Sequence, residues 1–306
     1  MKTSNMWFSF VVTATLVLTI PLQSSAEQPH SGTFTTIDVP GAASTAGDLS
    51  VWLRINAERT VVGGYEDTAG KGHGFLMSRG NFITFDAADA VFTELGAINA
   101  RGDILGDYLD ASSNFVAFLL SRGIIRKIQF PGATVTSLNS INPEGEIVGY
   151  YTYADERRHG FLLRRGTFSS FNFPGANFTV ASAINTRRQI VGIQSAASAL
   201  GPDFFSPGAT HGYLLSGGSF TPIDVPGAVF TTAIDINSAG DIVGRYNTPD
   251  GRAHGYVLKG TQFTTIDVPG SILSFATGIN PEGDIVGKYQ SPDGKFHGFL
   301  LTGNSF

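Results

Sequence analysis

Thr261-Gln-Phe-Thr-Thr-Ile-Asp-Val-Pro-Gly270, then Ser274-Phe-Ala-Thr-Gly-Ile-Asn280, Asp284-Ile-Val-Gly-Lys-Tyr289 and His297-Gly-Phe-Leu-Leu301, are four pieces of one structural unit. Each is short, rich in β-branched or aromatic residues and bounded by turn formers, so they read as four strands, A, B, C and D. None sustains a 3.6-residue apolar period, which argues against helix. Asn280-Pro281-Glu282-Gly283 and Ser291-Pro292-Asp293-Gly294 place Pro second and Gly where φ must turn positive, as tight turns require. Gly80, Gly123, Gly166, Gly218, Gly260 and Gly303 occupy the matching place after each D strand and mark hairpins into the next A.

This unit is the last of six copies. An Ile-Asn pair ends at Asn56, Asn99, Asn142, Asn185, Asn237 and Asn280, in steps of 43, 43, 43, 52 and 43 residues. Four-stranded units of roughly 40–45 residues, stacked by repetition, describe propeller blades. Adjacent apolar residues in C and D, such as Ile285-Val286 and Leu300-Leu301, suit strands covered on both faces. Strand B is often small (Ala181-Ser182-Ala183, Ala276-Thr277-Gly278), as crowding at a central axis would demand. The expected fold is therefore all-β, a six-bladed β-propeller of four-stranded antiparallel blades. Thr33 to Val39 form an A strand with no D before them, so the ring should close by pairing them with His297–Leu301, removing two open edges. A linear solenoid is the competing shape, but it needs polar capping units, and none is visible.

Composition limits the function. Lys2, an apolar stretch from Trp7 to Ile20 and Ser24-Ser25-Ala26 read as a secretory signal peptide over residues 1–26, with a single six-repeat domain over 27–306. The expected location is secreted or periplasmic, without membrane insertion after cleavage. Cysteine is absent, which rules out thiolate metal sites and thiol nucleophiles. Charged residues make up 15% of the chain against roughly 25% in ordinary domains. With a net charge of −5 and no cluster of bases larger than Arg157-Arg158 or Arg164-Arg165, nucleic acid is not an expected partner. Partners are expected to be proteins or neutral glycans. No cofactor is expected.

The repeat resembles the HAF-repeat family of bacterial extracellular proteins, named for a His-Ala-Phe string. Here that string is His73-Gly-Phe75, His159-Gly-Phe161, His211-Gly-Tyr213, His254-Gly-Tyr256 and His297-Gly-Phe299, while Val116-Ala117-Phe118 keeps Ala and loses His. Copies of Ile-Asp-Val-Pro-Gly-Ala and Ile-Asn-x-x-Gly-Asp-Ile-Val-Gly also look like that family. The resemblance spans about residues 31–306 and implies export and a repeat fold, with no activity or site residues to carry over.

The five repeat histidines suggest a metal site or a ring of bases, but tight-hairpin register offers each a nearer partner. Thirteen residues after His73, His159, His211 and His254 stand Asp86, Asn172, Asp224 and Asp267, and ring closure would bring His297 to Asp38. Where His is lost, at Val116, the partner position holds Gln129. These read as structural pairs sparing a buried polar group its desolvation cost, roughly 1–3 kcal/mol if unpaired. Asp235-Ile-Asn237-Ser-Ala-Gly240-Asp241 resembles a calcium loop only in part, because no acidic residue closes it. Asp103, Glu146, Asp241 and Asp284 read as turn residues.

Departures from the repeat are the better guide to a site. Five extra residues fall between A and B of the first copy, in Ala42–Leu53 with Trp52, and nine between C and D of the fourth, around Asp203, Phe204 and Phe205. A–B and C–D links emerge on one face, where loops on a rigid scaffold commonly bind. The candidate binding residues are Trp52, Asp203, Phe204 and Phe205, with no catalytic or metal-ligating residue assigned. The favoured function is a binding or interaction scaffold acting through this face. One alternative is a carbohydrate-active hydrolase or lyase using the axial pocket; the other is a structural cell-surface or matrix component. An enzyme should bring two or more titratable groups together against the symmetry of the repeat, and no such cluster is visible in the sequence.

Overall fold

The computed structural model of the protein describes residues 32–46, 52–197 and 210–303, so the segment 1–26 read as a signal peptide and Asp203, Phe204 and Phe205 lie outside the described residues. Among the described residues every regular element is a β-strand, and no helix is long and apolar enough to cross a membrane.

Six antiparallel sheets form a six-bladed propeller, each in the order B, C, D and then the A strand of the following repeat. In blade 3 these are Val135–Ile141, Ile147–Thr152, Arg158–Arg164 and Thr167–Phe171. Blade 6 runs from Leu273–Ile279 through Ile285–Gln290 to Phe296–Thr302, and its fourth strand is Thr33–Ile37, with Thr33 opposite Thr302 and Ile37 opposite Gly298. The N-terminal strand therefore closes the ring.

The core lies between blades. Phe161, Leu138 and Ile147 of blade 3 pack with Ala97 and Leu105 of blade 2, and Val243 and Val257 of blade 5 pack with Ala276 and Ile285 of blade 6. Both faces of each inner sheet are thus covered, which is why strands C and D carry apolar residues side by side.

Three repeated devices hold this geometry. The A–B links share one bond, from a backbone N–H to a hydroxyl six residues on: Val39 to Thr45, Ala87 to Thr93, Phe130 to Thr136, Phe173 to Thr179, Val225 to Thr231 and Val268 to Ser274. In blades 2 to 6 strand B carries a bulge, as between Leu138 and Ser140. The glycine of Ile-Val-Gly permits it: a Cβ on Gly149 would stand 1.9 Å from the Ser137 carbonyl oxygen, and one on Gly287 equally close to that of Phe275.

The third device is a belt of asparagines around one mouth of the axis. Each side-chain oxygen accepts the N–H four residues on, as Asn142 does from Glu146 at 2.9 Å. Five of the six Nδ2 groups reach the next blade's asparagine carbonyl, from Asn56 to Asn99, then Asn142, Asn185, Asn237 and Asn280, at 3.0–3.4 Å. Arg59 of blade 1 completes the circuit to Asp284 of blade 6 at 2.7 Å.

Candidate functional site

The repeat histidines sit on strand D, two strands out from the axis. His73 Nδ1 lies 2.9 Å from Asp86, His159 3.0 Å from Asn172, His211 and His254 2.7 Å from Asp224 and Asp267, and His297 3.0 Å from Asp38 across the ring closure. At Val116 the counterpart Gln129 turns instead to the Ala133 carbonyl, 2.8 Å away. A tyrosine of strand C stacks on four of these imidazoles, at 5.0–5.2 Å for Tyr65, Tyr151, Tyr246 and Tyr289. Each of these tyrosine hydroxyls also meets a Thr or Ser of the outer strand, as Tyr65 meets Thr84 at 2.9 Å. The sequence reading missed these tyrosines, although each stands eight residues before its histidine. The units lie one per blade, and no group of three His, Asp or Glu residues suited to a metal occurs among the described residues.

The first insertion is not where spacing alone would put it. Thr45 keeps both its link bond to Val39 and its register opposite Tyr65, and Arg54–Ile55 resumes opposite Val61–Val62. The extra residues therefore interrupt strand B itself, the innermost strand, leaving the A–B link intact. This brings Trp52 to the axis rather than to a rim loop. The second insertion leaves strands C and D of blade 4 in register, with Ser195 opposite Thr210.

Two cavities share the axis. The one within the asparagine belt holds about 110 Å³ and is lined by residues the repeat fixes, Asn56, Asn99, Asn142, Asn185 and Asn237 among them. The other opens toward the A–B and C–D links, holds about 420 Å³, and is walled by Trp52, Phe92, Leu109, Phe115, Tyr150 and Ile193 of blades 1 to 4. Its volume falls within the roughly 300–1,000 Å³ of small-molecule sites, and an apolar wall with a few polar groups is their usual make-up. Glu94, Asp107, Ser137, Asn139, Ser182 and Arg54 supply the polar groups.

Alternation along strand B of blade 2 explains how the acids enter. Thr93, Leu95 and Ala97 are buried in the core, so Phe92, Glu94 and Gly96 take the opposite face, toward the axis. The bulge between Leu95 and Ala97 then sets Glu94 directly opposite Asp107 of strand C. Like charges so placed repel. Burial pushes the Asp107 carboxyl up to about 7, and no cation or hydrogen bond offsets that shift. The partial exposure Asp107 retains comes from the cavity it faces. The matching positions in blades 3 to 6 are Ser137 and Tyr150, Val180 and Ile193, Thr232 and Arg245, and Phe275 and Lys288. An asymmetric pair of carboxylates thus exists, where the sequence reading expected none.

Arg54 forms the floor shared by the two cavities. It is 6% exposed, and its guanidinium donates to the backbone carbonyls of Thr277 and, at 3.4 Å, Ile234. Asp235, part-buried, faces it and accepts the Ile279 N–H at 3.0 Å. Desolvation lowers the Arg54 pKa and raises that of Asp235, and their mutual attraction opposes both shifts. Asp235 is therefore a cross-axis anchor rather than a loop ligand. The Arg54 Nε finds no protein partner, and the guanidinium carbon stands 5.7 Å from the Trp52 ring centre.

No family model matches the sequence, and no curated protein sequence matches it. Among solved structures, the chain is similar to TolB from Acinetobacter baumannii, with 14% identity and a TM-score of 0.50 over 84% of this chain. It spans 65% of that protein's length. It is also similar to the fucose-recognising six-bladed lectin of Aleuria aurantia, at 12% identity and a TM-score of 0.53, covering 83% of this chain and 94% of the lectin. At these identities the likeness is one of fold: a six-bladed β-propeller.

Proposed function

We propose that this is an exported binding module, akin to the HAF-repeat proteins its repeats resemble, which takes a small glycan in the axial cavity on the A–B and C–D face. The observation that carries this reading is the 420 Å³ cavity itself, because it forms where the chain departs from its repeat. An indole ring, phenylalanine walls and a few carboxyl, hydroxyl and amide groups suit a ligand with apolar ring faces and a hydroxylated rim. A structural neighbour that is a fucose-recognising lectin supports the assignment.

The test uses the chain's own reporter. Trp52 is the only tryptophan beyond residue 26, so the fluorescence of chain 27–306 reports on the cavity wall alone. Titration with a panel of mono- and disaccharides should give a saturable change for at least one. A panel without response, repeated by calorimetry, would refute the reading.

A second reading has one observation in its favour. Glu94 and Asp107, opposed and with one pKa near neutrality, could divide acid and base roles in glycoside hydrolysis. Release of reducing sugar from a bound oligosaccharide would establish it.

A further inference from the structure

We propose that the outer rim between blades 1 and 2 is a docking groove for an acidic, apolar peptide segment of a partner protein. The segment lies along the outer strands, with apolar side chains between Ile83 and Ile125 and carboxylates toward Arg79 and Arg122. This site is separate from the axial cavity and does not depend on the glycan reading.

The groove exists because two residues break the repeat. The outer strand of blade 1 is Asn81–Phe85 and that of blade 2 is Ile124–Lys127. Ile83 stands opposite Leu76 and Ile125 opposite Leu120, and both leucines belong to the core between these two blades. Cross-strand partners share a sheet face, so Ile83 and Ile125 look at each other across the gap. In the other five gaps the same two positions hold a phenylalanine facing a polar residue: Phe82 and Thr35, Phe168 and Arg126, Phe220 and Ser169, Phe263 and Thr221, Phe34 and Thr264. That phenylalanine is half-buried and packs on an aromatic ring of strand D, with centres 5.3–5.7 Å apart. Here Ile125 takes its place and is 39% exposed, while Ile83 replaces the polar residue and is 66% exposed. A smaller side chain on one wall and an aliphatic one on the other leave an apolar slot where the repeat seats an aromatic ring. Grouped exposed apolar side chains of this kind mark contact surfaces.

Charge says what the occupant carries. Lys127, opposite Phe118, shares the Ile125 wall. Arg79 and Arg122 sit on the D–A hairpins that end the two walls; both are exposed, and neither has an ion pair or hydrogen bond among the described residues. Each has a φ of 52°, in the left-handed region that Gly217, Gly260 and Gly303 occupy at the same position in blades 4 to 6. Glycine adopts this conformation freely and arginine only at a cost, and such costs gather at functional surfaces. Arg165 repeats the arrangement on blade 3, so the basic rim continues past the groove on that side. In a chain of net charge −5, this local excess of cations selects an acidic partner.

The shape favours an extended peptide. Both outer strands are edges of their sheets, offering backbone groups that an added segment can meet. A flat lipid surface would be met by protruding tips rather than by two isoleucines turned toward each other.

The experiment selects random dodecapeptides displayed on phage against chain 27–306, which contains all six blades. The selected peptide is then titrated by fluorescence polarisation at low and high salt. The expected result is a consensus joining aliphatic or aromatic residues to Asp or Glu. The I83T/I125F variant restores the residue types of the other gaps and should weaken binding at least tenfold. R79G/R122G, which restores the hairpin glycines, should weaken it at least threefold and remove most of the salt dependence, while melting no lower than wild type. Should the isoleucine double variant fail to melt cooperatively, I83T alone, at its exposed position, carries the same test. No consensus, a consensus bound equally by the isoleucine variants, or binding indifferent to salt and to R79G/R122G would overturn the proposal. Two controls name the other occupants: vesicles of phosphatidylcholine and phosphatidylglycerol in equal parts, and sedimentation equilibrium of the chain alone. Vesicle binding or self-association that the isoleucine variants abolish, without a peptide consensus, would assign the groove to a membrane or to a second copy and overturn the peptide assignment.

Discussion

Replacing Asp107 with Asn should stabilise the protein, by an amount that grows as pH rises from about 4 to about 7. In the folded state burial lifts the Asp107 carboxyl from 3.8 to about 7, so between those values the folded protein holds a proton that the unfolded chain has lost. Stability must then fall as pH rises through that window. The full shift of about 3 units corresponds to at most about 4 kcal/mol at 1.36 kcal/mol per unit. Water reaching the carboxyl through the cavity lowers that ceiling, so roughly 2–4 kcal/mol is the working range. Asn keeps the shape and removes the charge. For a domain of this size about 2–4 °C accompanies each kcal/mol, so the D107N melting temperature should exceed wild type by roughly 5–10 °C at pH 8. At pH 5, already above the unfolded carboxyl's value, roughly a third of that gain should remain, because the penalty vanishes only below about pH 4. Thermal melts by circular dichroism at the two pH values measure this. An equal gain at both, or none at pH 8, would refute the claim that an uncompensated carboxylate lines the cavity.

Asn142→Ala removes turn bonds and the link to blade 4 from a site 1% exposed, and should cost about 2–3 kcal/mol by urea denaturation. Arg54→Met leaves the part-buried Asp235 without its neighbouring cation and should cost about 2–3 kcal/mol, with much of the loss recovered in R54M/D235L; an undiminished loss in the double variant would deny the pairing. His254→Ala breaks the bond to Asp267 and the stack on Tyr246, lowering stability by about 1–2 kcal/mol without changing ligand affinity measured on folded protein. Trp52→Ala should leave the melting temperature within a few degrees of wild type yet weaken saccharide binding at least tenfold by calorimetry; wholesale unfolding would mean that Trp52 is core.

Much of the architecture was legible because its determinants are local and repeated. Gly at each D–A hairpin fixes register, so counting thirteen residues from His211 reached Asp224, and the unpaired Thr33–Ile37 strand found its place as the only A strand lacking a D. The cavity was less legible. Spacing gives the size of the first insertion but not its place, and only the kept Val39–Thr45 bond shows that strand B, not the link, was interrupted. Glu94 and Asp107 escaped notice because unbulged counting back from the turn sets Leu95, not Glu94, opposite Asp107. The bulge slides the register by one residue, which changes the partner of every side chain beyond it. The glycine of Ile104-Leu105-Gly106, this copy's form of Ile-Val-Gly, was the available signal.

Pairing of Thr33–Ile37 with Phe296–Thr302 has a consequence for synthesis. A ribosome makes some 260 residues between the two strands, so the sixth blade is the last to be completed and waits on the final repeat. Until then the early strand carries exposed hydrogen-bonding groups that fit the late strand of a neighbouring molecule equally well. Crowded nascent chains should therefore exchange this one strand, yielding reciprocal dimers in which each ring is sealed by the other's first segment.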